Sequence, residues 1–175
     1  MAFVVETGAG LSTATSYLSV ADFKTYHNDR GTDWSTYGDP EIQSALIVAA
    51  DYIDRRYSYK GLRRLGRDQA LEWPRIGSVD KYGQAIDGAS VPPEITEPSA
   101  DLAWIQLTEG LFQSVDFDSS GGQLTEVTDQ VGSVKRTRRY SDEGGGSTKA
   151  WKIFPSPDAA LLGISSQADA ATVRA

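Results

Sequence analysis

The chain has 175 residues, 39% of them hydrophobic, so it is long enough for one domain with a hydrophobic core. It contains no cysteine, which excludes disulfides, thiolate metal sites and cysteine nucleophiles. Its formal net charge of −7 makes the average surface repel phosphate backbones, and no stretch approaches the ~20 apolar residues of a membrane span, so we expect a soluble protein that is not exported.

The first predicted elements are an extended segment and a short helix. An apolar run near the N-terminus indicates a strand or an arm, and the GAGLSTATS sequence after it lacks the third glycine and the Lys-Ser/Thr of phosphate-binding loops. We therefore expect an ordinary loop there. Ser19 can cap a helix, with Asp22 as the reciprocal acid three residues later, which predicts a helix over 20–30.

The stretch on which the other elements are expected to pack is an amphipathic helix over 41–60. Asp39 supplies a cap, Pro40 has the backbone angle that a first helical residue needs, and Gly61 offers a stop. Apolar residues recur at steps of three and four and form one face: Ile42, Ala45, Leu46, Ala49, Tyr52, Ile53 and Tyr57.

This helix runs into residues 55–67, a stretch with no acid that we call the basic segment. Its cations are Arg55, Arg56, Lys60, Arg63, Arg64 and Arg67. Three interpretations are open: contact with another subunit, a solvated helix end, or a nucleic-acid site in which Tyr57, Tyr59 and Trp73 stack on bases. The negative net charge makes the last interpretation the weakest.

A third long helix is predicted over 93–113. Pro92 and Pro93 suit its first turn, whereas Pro98 lies deeper and is expected to cause a kink or a restart. Residues 68–73 can make one or two helical turns before the proline that follows them. Residues 116–121 resemble a calcium loop but lack the closing glutamate, so we interpret them as a polar linker.

From residue 124 onward, the repeat of the hydrophobic pattern changes to two residues, which is the repeat of a β-strand. Residues 124–140 predict a β-hairpin or β-arm whose second strand has cations on both faces: Lys135, Arg136, Arg138 and Arg139. A strand charged on both faces cannot be buried in an ordinary core, so it is an exposed edge, a DNA-facing arm, or a strand completed by another subunit. A glycine-rich linker, a short helix and a polar tail follow.

These elements predict a mainly α fold: a small bundle of three long helices plus short helices, with a β-hairpin or β-arm and an extended C-terminal tail. We expect a bundle domain with an N-terminal extended segment at 1–115, a β-arm with a Gly-rich linker at 116–149, and a short helix with a tail at 150–175. No enzyme activity, cofactor or metal is expected, because His27 is the only histidine and no nucleophile or orienting acid lies near it in sequence.

The ordered motifs resemble a family of small tailed-phage proteins that occupy the head–tail connector position and are known as DnaT-like single-stranded-DNA-binding proteins. The resemblance covers about residues 3–112 and returns at Val131-Gly132-Ser133-Val134 with Tyr140. Its motifs are Ser16-Tyr17-Leu18-Ser19-Val20, Tyr26-His27, Arg30-Gly31, Ala49-x-x-Tyr52-Ile53-Asp54-x-Arg56-Tyr57, Lys60-Gly61, Gln69-Ala70-Leu71-x-Trp73-Pro74-Arg75 and Val91-Pro92-Pro93-Glu94-Ile95. Pro98 and the Gly-rich C-terminal region depart from the family pattern.

The resemblance implies an adaptor subunit, repeated as a ring of about twelve copies beneath the portal. Double-stranded DNA would pass through this ring without sequence-specific binding, and the opposite side would receive the next tail or neck component. The C-terminal segment would contact the portal through Trp151, Ile153, Phe154, Leu161 and Leu162, and its removal would leave the bundle folded. The expected location is the virion neck, after synthesis in the host cytoplasm, with no membrane contact. The alternative is a single-stranded-DNA-binding protein that uses residues 55–67.

Overall fold

The computed structural model describes residues 2–112, 124–130, 135–140 and 154–166. It is mainly helical, which confirms the predicted fold class. The helices are α1 (Val20–Asp29), α2 (Asp39–Arg56), α3 (Pro93–Thr108) and α4 (Pro155–Ile164), with a 3₁₀ turn at Gly66–Asp68. The strands are β1 (Leu62–Arg63), β2 (Arg75–Ile76), β3 (Leu124–Gln130) and β4 (Lys135–Tyr140).

Two compact units make up the chain. One contains the described residues up to Leu111 together with 154–166, and it holds all four helices. The other lies within 112–153 and contains the antiparallel pair β3–β4, in which Val127 is opposite Arg138 and Gln130 is opposite Lys135. The predicted boundary at residue 150 therefore does not separate α4 from the bundle.

The three predicted long helices pack together, because α2 lies against α3 and α1 touches both. Ser19 caps α1 as expected, since its Oγ accepts the N–H of Asp22 at 3.1 Å. The N-cap of α2 is Gly38 rather than Asp39. The N–H of Gly38 donates to the Glu41 carboxylate at 2.8 Å, while Asp39 forms an ion pair with Lys24 at 2.5 Å.

The end of α2 and the course of α3 differ from the sequence prediction. Helix α2 ends at Arg56, because Tyr57 adopts an extended backbone, and Gly61 therefore does not terminate it. Helix α3 runs through Pro98 without a restart and ends at Thr108. Pro98 is fully buried, and its missing N–H costs one hydrogen bond near the helix start, which its burial in the core offsets.

The core of this unit continues into α4. Leu161 and Ile164 are almost completely buried, Phe154 is 6% exposed, and α4 packs on α3. The ring of Phe154 lies 6.0 Å from that of Tyr52 on α2. A helix that contributes this much apolar surface is part of the bundle, so we expect the removal of residues 150–175 to destabilise the bundle, in contrast to the expectation from sequence.

Between α2 and α3 the chain forms an irregular layer instead of the predicted turns of helix at 68–73. The strands β1 and β2 pair antiparallel, with Leu62 opposite Ile76. Helical hydrogen bonds are replaced here by bonds from side chains, since the Gln69 amide donates to the carbonyls of Leu71 and Pro74 at 2.8 and 3.1 Å. Among the described residues, no helix has the length and apolar character required to cross a lipid bilayer.

Candidate functional site in the basic segment

The six cations of the basic segment do not form one continuous surface. Arg55 Nη2 lies 3.0 Å from Asp51 Oδ2, one turn earlier in α2, and both side chains are largely exposed. Lys60 and Arg67 are also exposed. Of the other three cations, Arg56 and Arg63 pair with acids of their own chain, and the exposed Arg64 donates to backbone carbonyls.

Arg56 belongs to a buried cluster that joins α2 to α4. Its Nη2 lies 3.2 Å from Asp158 Oδ2, and its Nε donates to the Tyr57 hydroxyl at 3.1 Å. The Tyr57 hydroxyl donates to the other Asp158 oxygen, and the N–H of Phe154 donates to Asp158 at 2.9 Å. Burial, followed by the hydrogen bond to Asp158, raises the pKa of Tyr57. This cluster is a structural connection between helices.

Arg63 and Arg75 share one acid. Arg63 Nη2 lies 3.0 Å from Glu72 Oε1, and Arg75 Nη1 lies 2.5 Å from Glu72 Oε2. Arg63 also donates to the Gln69 carbonyl at 3.2 Å. Both guanidinium groups therefore hold the irregular layer together, and neither is a free cation for a phosphate.

Arg75 is the most completely bonded of the buried charged side chains. Its Nε donates to the Lys60 carbonyl at 3.0 Å, and its Nη2 donates to the carbonyls of Tyr59 and Gly61 at 3.2 and 2.7 Å. Its Nη1 donates to the Glu72 carbonyl at 3.3 Å and to the carboxylate of the same residue. A planar guanidinium matches this set of acceptors, whereas a single ammonium group does not.

The glycine-rich N-terminal loop encloses a carboxylate of its own. Glu6 Oε1 accepts the N–H groups of Gly8 and Gly10, both at 2.9 Å, and Oε2 accepts the N–H of Leu11 at 2.8 Å. The Gly8 carbonyl accepts a bond from Arg64 Nη1 at 2.9 Å. Because the buried Glu6 occupies the amides that a phosphate would need, the loop is not a phosphate site, as its sequence indicated.

A buried acid lies behind this layer. Asp54 Oδ1 accepts the Tyr17 hydroxyl, and its Oδ2 accepts the N–H of Glu72 at 3.1 Å. The same Tyr17 hydroxyl accepts the N–H of Trp73 at 3.3 Å. Burial raises the pKa of Asp54 to about 7, an effect that these two hydrogen bonds and the nearby Arg63 only partly oppose. The group therefore changes charge near neutral pH.

The aromatic residues proposed to stack on single-stranded DNA are not accessible. Trp73 is fully buried, and Tyr57 and Tyr59 are 5% and 7% exposed. Tyr59 packs edge to face on Trp73, with ring centroids 5.6 Å apart. The interpretation of these three rings as a stacking platform is therefore wrong: each has a partner inside the core, and base stacking needs an exposed face.

The cations of the predicted β-arm lie on β4. Lys135, Arg136, Arg138 and Arg139 all fall within Lys135–Tyr140, and the register places Asp129 opposite Arg136 and Glu126 opposite Arg139.

The residues expected to contact the portal lie in different environments. Phe154 and Leu161 lie in the core of the helical unit, so these two are not a surface for a partner in this structure. Leu162 is half-buried against the core. Trp151 and Ile153 lie outside the described residues, as does the calcium-like segment at 116–121.

His27 is buried, and its Nε2 lies 3.2 Å from the carbonyl oxygen of Ala100. Its ring lies against those of Phe23 and Trp104, at centroid distances of 4.4 and 5.5 Å, and burial lowers its pKa. Among the described residues, no three histidine, aspartate or glutamate side chains come together as a metal site.

Several important residues were not identified from sequence. Arg75, Asp158 and Glu6 look like ordinary surface charges, since their partners are distant in the chain or are backbone atoms. Leu62 and Ile76 are 77% and 56% exposed, although an apolar residue in a strand is usually assigned to the core. One signal in the sequence is that each of these apolar residues is next to an arginine, Leu62 to Arg63 and Ile76 to Arg75.

Comparison with known proteins gives one match. The family model described as "Putative DnaT-like ssDNA binding protein" matches residues 1–175. Neither the curated proteins nor the solved structures yielded a match. Since the family model spans the whole chain, the chain belongs to this DnaT-like family, which its ordered motifs resemble.

Proposed function

We propose that the chain is a head–tail connector, or adaptor, subunit of a tailed phage. In this role a ring of about twelve copies lies under the portal, joins head to tail and encloses the channel for double-stranded DNA. The subunit is made in the host cytoplasm and resides in the virion neck. Its partners are other copies of itself, the portal, and the next tail or neck component.

The main support for this proposal is the antiparallel strand pair β3–β4. Its strands are 7 and 6 residues long, and within the described residues they pair only with each other. An isolated two-stranded sheet is marginally stable in water, and its edges present unpaired N–H and C=O groups. An arm of this kind suits a subunit of an assembly, because a neighbouring chain can complete the sheet.

The charge distribution also supports a channel subunit. DNA that is packaged and ejected must pass without being held, and each phosphate that a cation neutralises adds salt-dependent affinity. The chain has a formal net charge of −7, and four of the six cations in the basic segment bind carboxylates or carbonyls of their own chain. A ring of such subunits repels the DNA inside it.

Single-stranded-DNA binding is the second candidate, because the family description names it. Two cations of the basic segment, Lys60 and Arg67, remain exposed and available to phosphates. The buried rings of Tyr57, Tyr59 and Trp73 count against it, since sequence-tolerant binding to single strands depends on stacking as well as charge.

The connector proposal is tested by mixing the purified full chain with the portal of the same phage and measuring the mass of the complex by size-exclusion chromatography with light scattering. We expect the chain to bind the portal, and mass spectrometry to find it in purified virions. Failure to bind the portal together with absence from virions overturns the proposal.

The second candidate is tested by fluorescence anisotropy with a labelled single strand at two salt concentrations. Tight, salt-sensitive binding that Lys60→Ala/Arg67→Ala weakens at least tenfold, and that the control Lys81→Ala leaves unchanged, favours the DNA-binding function. Arg63 and Arg64 are poor choices for this test, because both bind backbone carbonyls of their own chain.

A further inference from the structure

Two apolar features of the helical unit are formed by different residues. The first is a ridge made of Leu62 on β1 and Ile76 on β2, which are opposite each other in the strand pair and are both mostly exposed. The second is an open groove of about 450 Å³ beside the first turns of α2. The ridge and the groove share no residue, so they are two distinct surface features.

The ridge is surrounded mainly by basic residues. Arg64 Nη1 donates to the Gly88 carbonyl at 3.3 Å, and a Cβ on Gly88 would lie only 3.2 Å from Ile76 Cγ1, so Arg64 lies close to the ridge. Lys60 precedes β1 by two residues and is exposed. Arg67 is exposed in the 3₁₀ turn that follows β1. The acids near these strands are Asp68, the exposed Asp87 beside Gly88, and Glu72, which pairs with Arg63 and Arg75, so cations outnumber acids around the ridge.

The groove has the opposite charge. Its apolar lining comes from Tyr37, Ala45, Val48 and Leu107, and Glu41 is the one charged residue among its lining residues. Beside Glu41, the exposed Asp39 forms a surface ion pair with Lys24. The Glu41 carboxylate accepts the N–H of Gly38 at 2.8 Å and has no cation paired with it among the salt bridges of the described residues. An apolar groove with an acidic rim is complementary to an apolar ridge with a basic surround.

We infer that the ridge of one copy of this chain docks into the groove of a second copy. The contact is heterologous, since it joins two different surfaces, and repeated contacts of this type close into a ring or extend as a filament. The inference deepens the connector proposal and rests on it, by naming the surfaces through which neighbouring subunits meet. It also explains why two large apolar side chains are exposed beside cations: a partner covers them.

The absence of cysteine allows a direct crosslinking test. In the full chain, Leu62→Cys places a thiol on the ridge and Ser44→Cys places one at the groove, both at exposed positions. With a short bis-maleimide crosslinker, the double variant should give a ladder of covalent multiples of 18.9 kDa. The control Ser44→Cys/Tyr82→Cys also carries two exposed thiols and should give no ladder. No ladder from the first pair, or equal ladders from both, overturns the inference.

A complementation experiment tests whether the contact joins two different surfaces. A ridge variant, Leu62→Asp/Ile76→Asp, and a groove variant, Ser44→Arg, should each remain at 18.9 kDa by light scattering at low salt. When mixed, they should form a 1:1 dimer, because one intact ridge meets one intact groove. Self-association of either variant alone, or no dimer in the mixture, contradicts the inference.

Two further outcomes separate this inference from the connector proposal. A chain that binds the portal but gives no crosslinked ladder refutes the docking of ridge into groove and leaves the connector role intact. If the ridge variant instead loses single-stranded-DNA binding while its self-association is unchanged, the ridge is a nucleic-acid contact and the inference is wrong.

Discussion

At the scale of single residues, the charged side chains of this protein fall into two groups. Arg75, Glu6 and Asp54 are buried or nearly so, and each holds a backbone segment in place through hydrogen bonds. Lys60 and Arg67 face solvent. The sequence shows only charge, so the two groups look alike until the acceptors of each side chain are known.

Substitution of Arg75 tests the first group. Arg75→Lys should lower the free energy of unfolding by about 2–4 kcal/mol, because an ammonium group cannot reach all the carbonyls that the guanidinium now binds and leaves buried acceptors unpaired. Urea unfolding followed by tryptophan fluorescence measures this change. Arg67→Lys is the matched control and should stay within about 0.5 kcal/mol of the parent. Equal effects of the two substitutions would show that Arg75 is not structural.

Asp54 should make stability depend on pH. Its pKa is about 7 in the folded chain, against an ordinary value of 3.8, so between about pH 4 and 7 the folded state keeps a proton that the unfolded state has lost. Stability from this group is therefore greatest at low pH and decreases as pH rises towards 7, by about 4 kcal/mol. Urea titrations at several pH values should show that Asp54→Asn removes this slope. Parallel curves for variant and parent would refute the assignment.

At the scale of elements, some features of the helices could be predicted from sequence and others could not. The cap at Ser19 and the face of α2 depend on neighbouring residues, and both were predicted correctly. Helix α2 ends at Arg56, and the hydroxyl of the next residue, Tyr57, donates to Asp158, a partner 101 residues away that no local pattern reveals. The continuation of α3 through Pro98 likewise depends on burial, which is a tertiary property.

The connection between α2 and α4 can be tested by comparing two ion pairs. Asp158→Asn removes the buried partner of Arg56 and should cost about 3 kcal/mol, since the guanidinium keeps its charge in a site where its side chain is 17% exposed. Asp51→Asn removes the exposed partner of Arg55 and should cost about 0.5 kcal/mol or less. Chemical unfolding of the two variants measures the difference. Similar costs for both would mean that the Asp158 cluster does not hold α4.

At the scale of the whole molecule, the helical unit is assembled from two separate parts of the chain. Residues up to Leu111 supply three helices and the irregular layer, and residues 154–166 supply the fourth helix. The polar, glycine-rich linker before α4 predicted that this helix belongs with the tail. Leu161 belongs to the core for a reason that linker composition does not show, namely the apolar surface that α3 leaves uncovered.

Truncation tests this organisation. A chain that ends after residue 153 loses Phe154, Leu161 and Ile164 from the core, and each buried side chain of this kind contributes about 2–5 kcal/mol. Because the total stability of a domain is about 5–15 kcal/mol, this chain should lose its cooperative thermal transition in circular dichroism. A chain that ends after residue 166 keeps α4 and should keep the transition. A cooperative transition in the shorter chain would show that α4 is dispensable.

The insertion of the hairpin between α3 and α4 sets the order of events during synthesis. Leu161 leaves the ribosome after the whole of β3 and β4, so the bundle core cannot close until residues 112–161 have been synthesised. Hairpins form in about 1–10 μs, whereas the ribosome adds about 5–20 residues per second. The growing chain therefore holds an open apolar surface on α3 for seconds, and the speed of translation through residues 112–161 sets how long that surface is exposed to chaperones or to other nascent chains.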